Sequence, residues 1–279
     1  MNISDIENTI KAALREDIGD GDHSTLACIP ASAKGKARMI AKADGIICGI
    51  EVGKKVFELV DPSLKTETFK NDGDPVKKGD LILTVEGTSA SILTAERTAL
   101  NFMQRMSGIS TQTRLLVNML EGMHTQLLDT RKTTPNMRTF EKYAVKKGGA
   151  TNHRFGLFDM IMLKDNHIDF AGGIENAINR THEYLKAKNK KLKIEIEVRN
   201  LDELNQVMAT GKIDRIMLDN FTPELLKEAV RIIGGRYETE ASGGITAETL
   251  KSFAESGVDY ISVGALTHHI KSLDISLIV

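Results

Sequence analysis

The chain has only two cysteines, Cys28 and Cys48, and they stand in no spacing that ligates a metal. It therefore lacks a disulfide framework, and a reducing compartment is expected. No sign of charge dominates either. The 37 Lys and Arg face 38 Asp and Glu, a net of −1, which argues against a general nucleic-acid or membrane partner. No apolar run approaches the ~18 residues of a membrane helix. The segment from Met1 to Asn8 has no apolar core of a signal peptide, so the expected location is cytoplasmic. Three motifs are also incomplete. The string from Asp17 to His23 suggests a calcium loop but lacks the twelfth-position Glu of an EF-hand. Residues 71–87 have the cadence of a biotinyl or lipoyl carrier hairpin without its Met-Lys tip, and no GxGxxG follows the first strand of the later α/β region.

What remains is an ordinary globular composition, with 41% hydrophobic and 27% charged residues over 279 positions. That length suits roughly two domains, or one barrel with an extension. Ser4 is placed to cap a helix with Ile6, Ile10, Ala13 and Leu14 on its apolar side, and an acidic turn runs from Glu16 to His23. From Lys36 to Leu93 the pattern is mostly β, with a helix from Val52 to Val60 and a hairpin over 71–87. Residues 94–121 make one or two helices whose stripe of Leu100, Met103 and Met106 reads as core. From 125 onward, apolar runs at 126–129, 159–163, 194–198, 214–218, 237–241 and 259–263 alternate with helical segments. That is the pattern of parallel strands with crossover helices, six units rather than the eight of a complete barrel.

Charge is concentrated in one place. Residues 128–168 hold eight Lys and Arg against four carboxylates in a nearly neutral chain. Lys142, Lys146 and Lys147 fit a solvated helix face opened by Pro135, whereas Lys164 closes an apolar run and starts out partly desolvated. Arg131, Lys132 and Lys164 follow two strands, with His153 and Arg154 on the loop between. Cations gathered this way need an anion, and Arg forks suit carboxylates and phosphates. Later strand ends carry Glu197 and Asp219, then Ser242-Gly243-Gly244 and Val263-Gly264-Ala265. Glycines before helices offer N–H groups to a phosphate, and two carboxylates facing phosphates suit Mg²⁺ or ribose hydroxyls, unless they simply pair with Lys164 or Arg199. The residues point to a phosphorylated anionic substrate and stop short of the reaction.

The assembled motifs resemble the quinolinate phosphoribosyltransferase family. They are Glu96-Arg97-Thr98-Ala99-Leu100-Asn101, Ser107-Gly108-Ile109-Ser110-Thr111, Asp129-Thr130-Arg131-Lys132-Thr133, Asn152-His153-Arg154, Leu163-Lys164-Asp165-Asn166-His167, Glu195-Ile196-Glu197-Val198, Leu218-Asp219-Asn220, Ser242-Gly243-Gly244 and Ser262 to His268. The resemblance implies an α/β protein with an N-terminal α/β sandwich, hammerhead-like, over residues 1–107. An incomplete (β/α) barrel would follow over 108–268, with a tail, 269–279, able to pack back on the sandwich. It implies transfer of phosphoribosyl from phosphoribosyl pyrophosphate to quinolinate with decarboxylation, giving nicotinate mononucleotide, pyrophosphate and CO₂. Arg131, Lys132, Thr133, His153 and Arg154 would bind quinolinate. Lys132, Lys164, Glu197 and Asp219 would form the catalytic set, with Glu197 and Asp219 on ribose and Mg²⁺. Ser242, Gly243, Gly244, Val263, Gly264, Ala265 and His268 would hold the 5′-phosphate. Arg97 would reach into the partner's site of a homodimer. Two other readings stay open: a molybdenum-associated paralogue of the same enzyme, and a barrel lyase forming a Schiff base on Lys164.

Overall fold

A computed structural model describes residues 3–279, with side chains from Ile6 onward. In chain order the elements are α1 (Ile3–Ile18), α2 (His23–Cys28), β1 (Lys34–Ala41), β2 (Gly45–Ile46), α3 (Ile50–Val60), β3 (Lys65–Thr68), β4 (Pro75–Val76), β5 (Leu81–Thr88) and α4 (Ser89–Met119). Then follow β6 (Gln126–Leu128), α5 (Arg138–Gly148), β7 (Ile161–Leu163), α6 (Asp165–Ala171), α7 (Ile174–Ala187), β8 (Ile194–Val198), α8 (Leu201–Thr210) and β9 (Arg215–Asp219). The chain ends with α9 (Pro223–Ile233), β10 (Glu238–Ser242), α10 (Ala247–Ala254), β11 (Tyr260–Ser262), α11 (Ala265–His268) and β12 (Ile275–Ile278). These elements form two compact units. Unit 1 comprises residues 1–115, 132–149 and 265–279; unit 2 comprises residues 116–131 and 150–264.

Unit 1 is built on an antiparallel sheet of order β12-β1-β5-β3. The expected hairpin over 71–87 does not form. The turn separates β4, which pairs with β2, from β5, which pairs with β1 and β3. Each flanking strand finds a longer-range partner that buries its apolar side. Helix α4 is continuous over the stretch where two helices were possible, and Leu100, Met103 and Met106 are buried along it. Its Ser107-Gly108-Ile109-Ser110-Thr111 motif serves packing. Ser107 Oγ accepts from Cys48 N–H at 2.9 Å, Thr111 Oγ1 accepts from Ile46 N–H at 2.8 Å, and Ser110 Oγ donates to the Ala144 carbonyl at 2.7 Å. A Cβ at Gly108 would collide with the backbone of Lys271 and Ser272, so that close approach requires glycine.

Three expectations in unit 1 are corrected. Helix α1 already includes Ile3, so Ser4 lies inside it rather than at its cap, and the Ser4 side chain is outside the described ones. The acidic turn is short: α1 runs to Ile18, and Asp22 caps α2, its carboxylate accepting from Thr25 N–H at 3.1 Å. Pro135 does not open α5. Asn136 adopts a left-handed φ of 62°, and the helix starts only at Arg138. Within α5, Lys142 is buried at 3% exposure rather than solvated, because Phe140, Glu141, Ala144 and Val145 pack the helix on more than one side.

Unit 2 is a six-stranded parallel sheet of order β6-β11-β10-β9-β8-β7, open between β6 and β7. The alternation is legible in β8, Ile-Glu-Ile-Glu-Val, whose five residues are all buried. Ile194, Ile196 and Val198 share one face, while Glu195 and Glu197 share the other. Register places Glu195 beside Arg215, and Glu197 and Glu240 beside Met217 on either side of β9, so the polar side chains of adjacent strands share one face. The crossover helices start and stop where local chemistry tells them to. In α9, Thr222 caps with its hydroxyl near Leu225 N–H, Pro223 takes the first turn, and Gly234 ends the helix at φ 58°.

Candidate active site

The unit 2 strands deliver charged residues at their C-terminal ends. Lys164 follows β7 directly and begins α6, where its N–H donates to His167 Nδ1 at 2.9 Å. Its Nζ lies 3.0 Å from Glu197 Oε2 at the end of β8. Arg199 turns away from that carboxylate to Glu203 and Asp169. On the neighbouring strand Asp219 accepts from the Asn220 amide at 2.5 Å. Among the described residues, Glu197 Oε1 and Asp219 Oδ1 lie outside these two bonds. Carboxylates on adjacent strands, each with an oxygen to spare, fit Mg²⁺, which binds through one or two carboxylates plus substrate oxygens. Beyond β10, Gly243 has φ 105°, and a Cβ there would overlap the Asn220 side chain and backbone. The Ser242-Gly243-Gly244 turn is thus fitted against Asn220, whose N–H donates to the Ser242 carbonyl at 2.9 Å.

The residue after β6 and the loop between α5 and β7 carry the second group. Asp129 is fully buried and anchors it, accepting from His153 N–H at 2.8 Å and from the Asn152 amide at 2.6 Å. Asp159 accepts from Phe155 N–H at 2.7 Å and Gly156 N–H at 2.8 Å. Arg154 is half-buried and reaches the Met160 carbonyl at 3.3 Å. Burial, then the charge of Arg131, lowers its proton affinity, so two guanidiniums in this unit feel one another. A guanidinium placed near a second one is suited to a carboxylate or a phosphate.

Beneath the strand ends lies a cluster that sequence reading did not single out. His153 Nε2 is 3.0 Å from Glu195 and 3.3 Å from Glu240, and Arg215 reaches Glu240 at 3.1 Å and Glu238 at 2.9 Å. Glu195 and Glu240 are fully buried. Arg215 also stacks over the Tyr260 ring at 4.2 Å. Burial, then the charge of Glu240, pushes Glu195 up to about 7. Burial disfavours charge on the His153 ring, yet the two carboxylates outweigh it and lift its proton affinity to about 9. Arg154 N–H, 2.6 Å from Nδ1, needs a lone pair there and opposes a second ring proton. Nδ1 thus serves as the acceptor for the loop N–H, and Nε2 faces the two carboxylates. The available signal was the Glu195-Ile-Glu197 spacing, which puts two carboxylates on one face of a buried strand.

Unit 1 holds the other candidates. Lys132 is exposed, and its carbonyl accepts from Thr267 Oγ1 at 2.8 Å. Thr133 Oγ1 accepts from Arg138 Nε at 3.0 Å. His268, also exposed, stacks edge-on against His269, and desolvation followed by the charges of His269 and Lys132 lowers its proton affinity. Ala265 opens α11. Arg97 is exposed on α4 and makes no ion pair among the described residues.

Comparison with known proteins resolves the family. The N-terminal domain model of quinolinate phosphoribosyl transferase matches residues 22–107, and the C-terminal domain model matches 109–278. The chain belongs to the quinolinate phosphoribosyltransferase family. It is 48% identical to the chloroplastic nicotinate-nucleotide pyrophosphorylase [carboxylating] of Arabidopsis thaliana, over 98% of this chain and 82% of that one. It is 46% identical to quinolinate phosphoribosyltransferase [decarboxylating] 1b of Nicotiana tabacum over the same shares. The crystal structure of NadC from Streptococcus pyogenes superposes with a TM-score of 0.94 at 42% identity, covering 99% of this chain and 96% of that one. The quinolinate phosphoribosyltransferase fold thus accounts for the small antiparallel sheet and for a parallel sheet of six strands rather than eight.

Proposed function

We infer that this chain is a decarboxylating phosphoribosyltransferase of NAD biosynthesis that joins quinolinate to phosphoribosyl pyrophosphate. The observation that carries the reading is family membership over both domain models, with the family's charged motifs on the strand ends of unit 2. The quinolinate nitrogen attacks the ribose C1 and pyrophosphate leaves. The ring then carries a positive nitrogen that can accept the electrons released when the C2 carboxylate departs as CO₂, and a proton takes its place. Little acid–base work is asked of side chains.

Arg131 and Arg154 are assigned to quinolinate, whose two carboxylates answer two guanidiniums; His153, expected to bind there as well, has both ring nitrogens engaged within the protein and stands behind Arg154. Fixing a dianion next to its partner is worth up to ~7–11 kcal/mol of barrier. Glu197 and Asp219 are assigned to the ribose hydroxyls, where negative charge stabilises oxocarbenium character at C1, and Lys164 to the donor or the transferring carboxylate. Glu197 and Asp219 would also hold Mg²⁺, which when bound neutralises the departing pyrophosphate. Ser242, Gly243, Gly244, Val263 and Gly264 are assigned to the 5′-phosphate. In unit 1, Lys132 and Thr133 are assigned to quinolinate, Ala265 and His268 to phosphate, and Arg97 to the partner's site in a homodimer. A cytoplasmic location fits the two free cysteines.

A Schiff base on Lys164 is disfavoured, because an ammonium paired with Glu197 at 3.0 Å is not a nucleophile. The test is CO₂ release from carboxyl-labelled quinolinate with phosphoribosyl pyrophosphate and Mg²⁺, beside nicotinate as alternative acceptor. Release with quinolinate and no nucleotide from nicotinate is expected. A folded protein that releases none refutes the reading.

A further inference from the structure

The loop bearing Arg154 lies outside any strand or helix, yet its backbone is fixed at four successive positions. His153 N–H donates to Asp129, Arg154 N–H to His153 Nδ1, and Phe155 and Gly156 N–H to Asp159. Three of these acceptors are carboxylate oxygens; the fourth is an imidazole ring. A ring can hold a backbone N–H in place only if the ring cannot turn. Here it cannot, because its other nitrogen sits against Glu195 on β8 and Glu240 on β10, the latter held by Arg215 from β9.

We propose that Glu195, Glu240 and Arg215 are positioning residues for quinolinate binding, acting through the His153 ring to aim the Arg154 guanidinium. The inference rests on the reading that Arg154 binds a quinolinate carboxylate. Buried charges at this depth are costly, and a packed apolar interior would hold the sheet at least as well, so their presence asks for a use. A metal is not that use. Although His153, Glu195 and Glu240 could gather around an ion, Arg215 already occupies Glu240, and a dication would face that guanidinium. Around the ring the charged groups are Asp129 from the end of β6, Glu195 from β8, Arg215 from β9, Glu240 from β10 and Arg154 beside it. They leave Nδ1 as the acceptor that reaches the loop.

The experiment compares Glu195→Gln and Glu240→Gln with wild type, each also combined with Arg154→Ala. Steady-state kinetics are read separately for quinolinate and phosphoribosyl pyrophosphate. Each single variant is expected to raise the quinolinate KM roughly 10-fold or more, the scale on which removing a partner that orients a functional His acts. The KM for phosphoribosyl pyrophosphate should stay within about twofold by the same argument. In the Arg154→Ala background the Gln substitutions should add little. His153→Asn, whose Oδ1 can stand where Nδ1 does, should recover much of the quinolinate affinity that His153→Ala loses. If a Gln variant fails to fold, the His153→Asn and His153→Ala pair decides alone. Unchanged quinolinate KM in folded Gln variants overturns the proposal, as do effects fully additive with Arg154→Ala, equal losses in Asn and Ala, or stoichiometric metal in the purified protein. None of those results touches the substrate reading, which fails only if wild type itself releases no CO₂ from quinolinate.

Discussion

Glu141 is completely buried on α5, and Arg105 of α4 binds it with Nε at 3.0 Å and Nη2 at 2.6 Å. The second carboxylate oxygen accepts from Thr134 N–H at 3.2 Å, and Arg105 also reaches Thr134 Oγ1 at 2.8 Å. Glu141→Ala removes the three hydrogen bonds to the carboxylate and leaves the mostly buried Arg105 guanidinium with Thr134 Oγ1 but without its counter-charge. Breaking a buried pair from one side costs about 3–5 kcal/mol. The Arg105 side chain keeps 29% exposure, so solvent recovers part of its hydration and the lower end, about 3 kcal/mol, is expected. At ~2.1 cal/mol/K per residue, a chain of 279 residues unfolding as one transition would lose about 5 °C in Tm. Unit 1 is about half of the chain, so if it melts by itself the drop should be about twice as large. Calorimetry of wild type, Glu141→Ala and Glu141→Gln separates these cases, with Gln intermediate because it keeps an acceptor for Thr134. A change below about 1 °C in the alanine variant would mean that Arg105 finds water easily, and the argument from burial would fall.

Gly243→Ala should cost about 1–3 kcal/mol, from its φ of 105° and the overlap with Asn220. It should also raise the KM for phosphoribosyl pyrophosphate; wild-type Tm and KM would show that the turn relaxes freely. Arg131→Ala should weaken quinolinate binding by about 1.5–3 kcal/mol per lost charged hydrogen bond, while phosphoribosyl pyrophosphate still protects the fold against heat. Retained quinolinate affinity in calorimetric titration would remove Arg131 from the site. Asp22→Ala should cost a few tenths to about 1 kcal/mol by uncapping α2. Hydrogen bonds from Thr25 lower the Asp22 carboxyl below its ordinary 3.8, so its contribution is present above that pH and lost as pH falls through the folded value. Urea denaturation should therefore show the gap between wild type and variant closing in acid; a gap independent of pH would mean the cap is not ionic. Arg97→Ala mixed with Lys164→Ala should regain activity through hybrid dimers, and exchange of subunits without recovery would place Arg97 outside the partner's site.

Strands of unit 2 were readable from sequence because a parallel sheet under helices writes its apolar faces as plain runs. β8, β9 and β10 begin and end within about a residue of those runs. The hairpin over 71–87 misled because turn residues reveal where a chain bends but not which strand it then meets; the pairing of β5 with β1 and β3 is a tertiary choice. Pro135 misled for a local reason, since Asn136 takes a left-handed conformation that the proline pattern does not foretell. In the site, charges at strand ends were legible as exceptions to the apolar pattern. Glu240 and Arg215 were not, because each is unremarkable along its own strand and acquires meaning only when β8, β9 and β10 lie side by side. Lys142 shows the converse, a charge at helical spacing that the packing of α5 takes out of solvent.

Strand β12 pairs with β1 from Arg38↔Ile278 to Ala41↔Ile275, so the sheet of unit 1 is joined by residues made long after its other strands. During synthesis β1 must wait with one edge bare, while residues 150–264 of unit 2 emerge from the ribosome ahead of β12. A ribosome paused after β11 would expose β1 as a template for pairing with other chains. Completion of the unit 1 sheet is therefore tied to the speed with which residues 263–278 follow β11, and slow codons in that stretch should act on β1, far back along the chain.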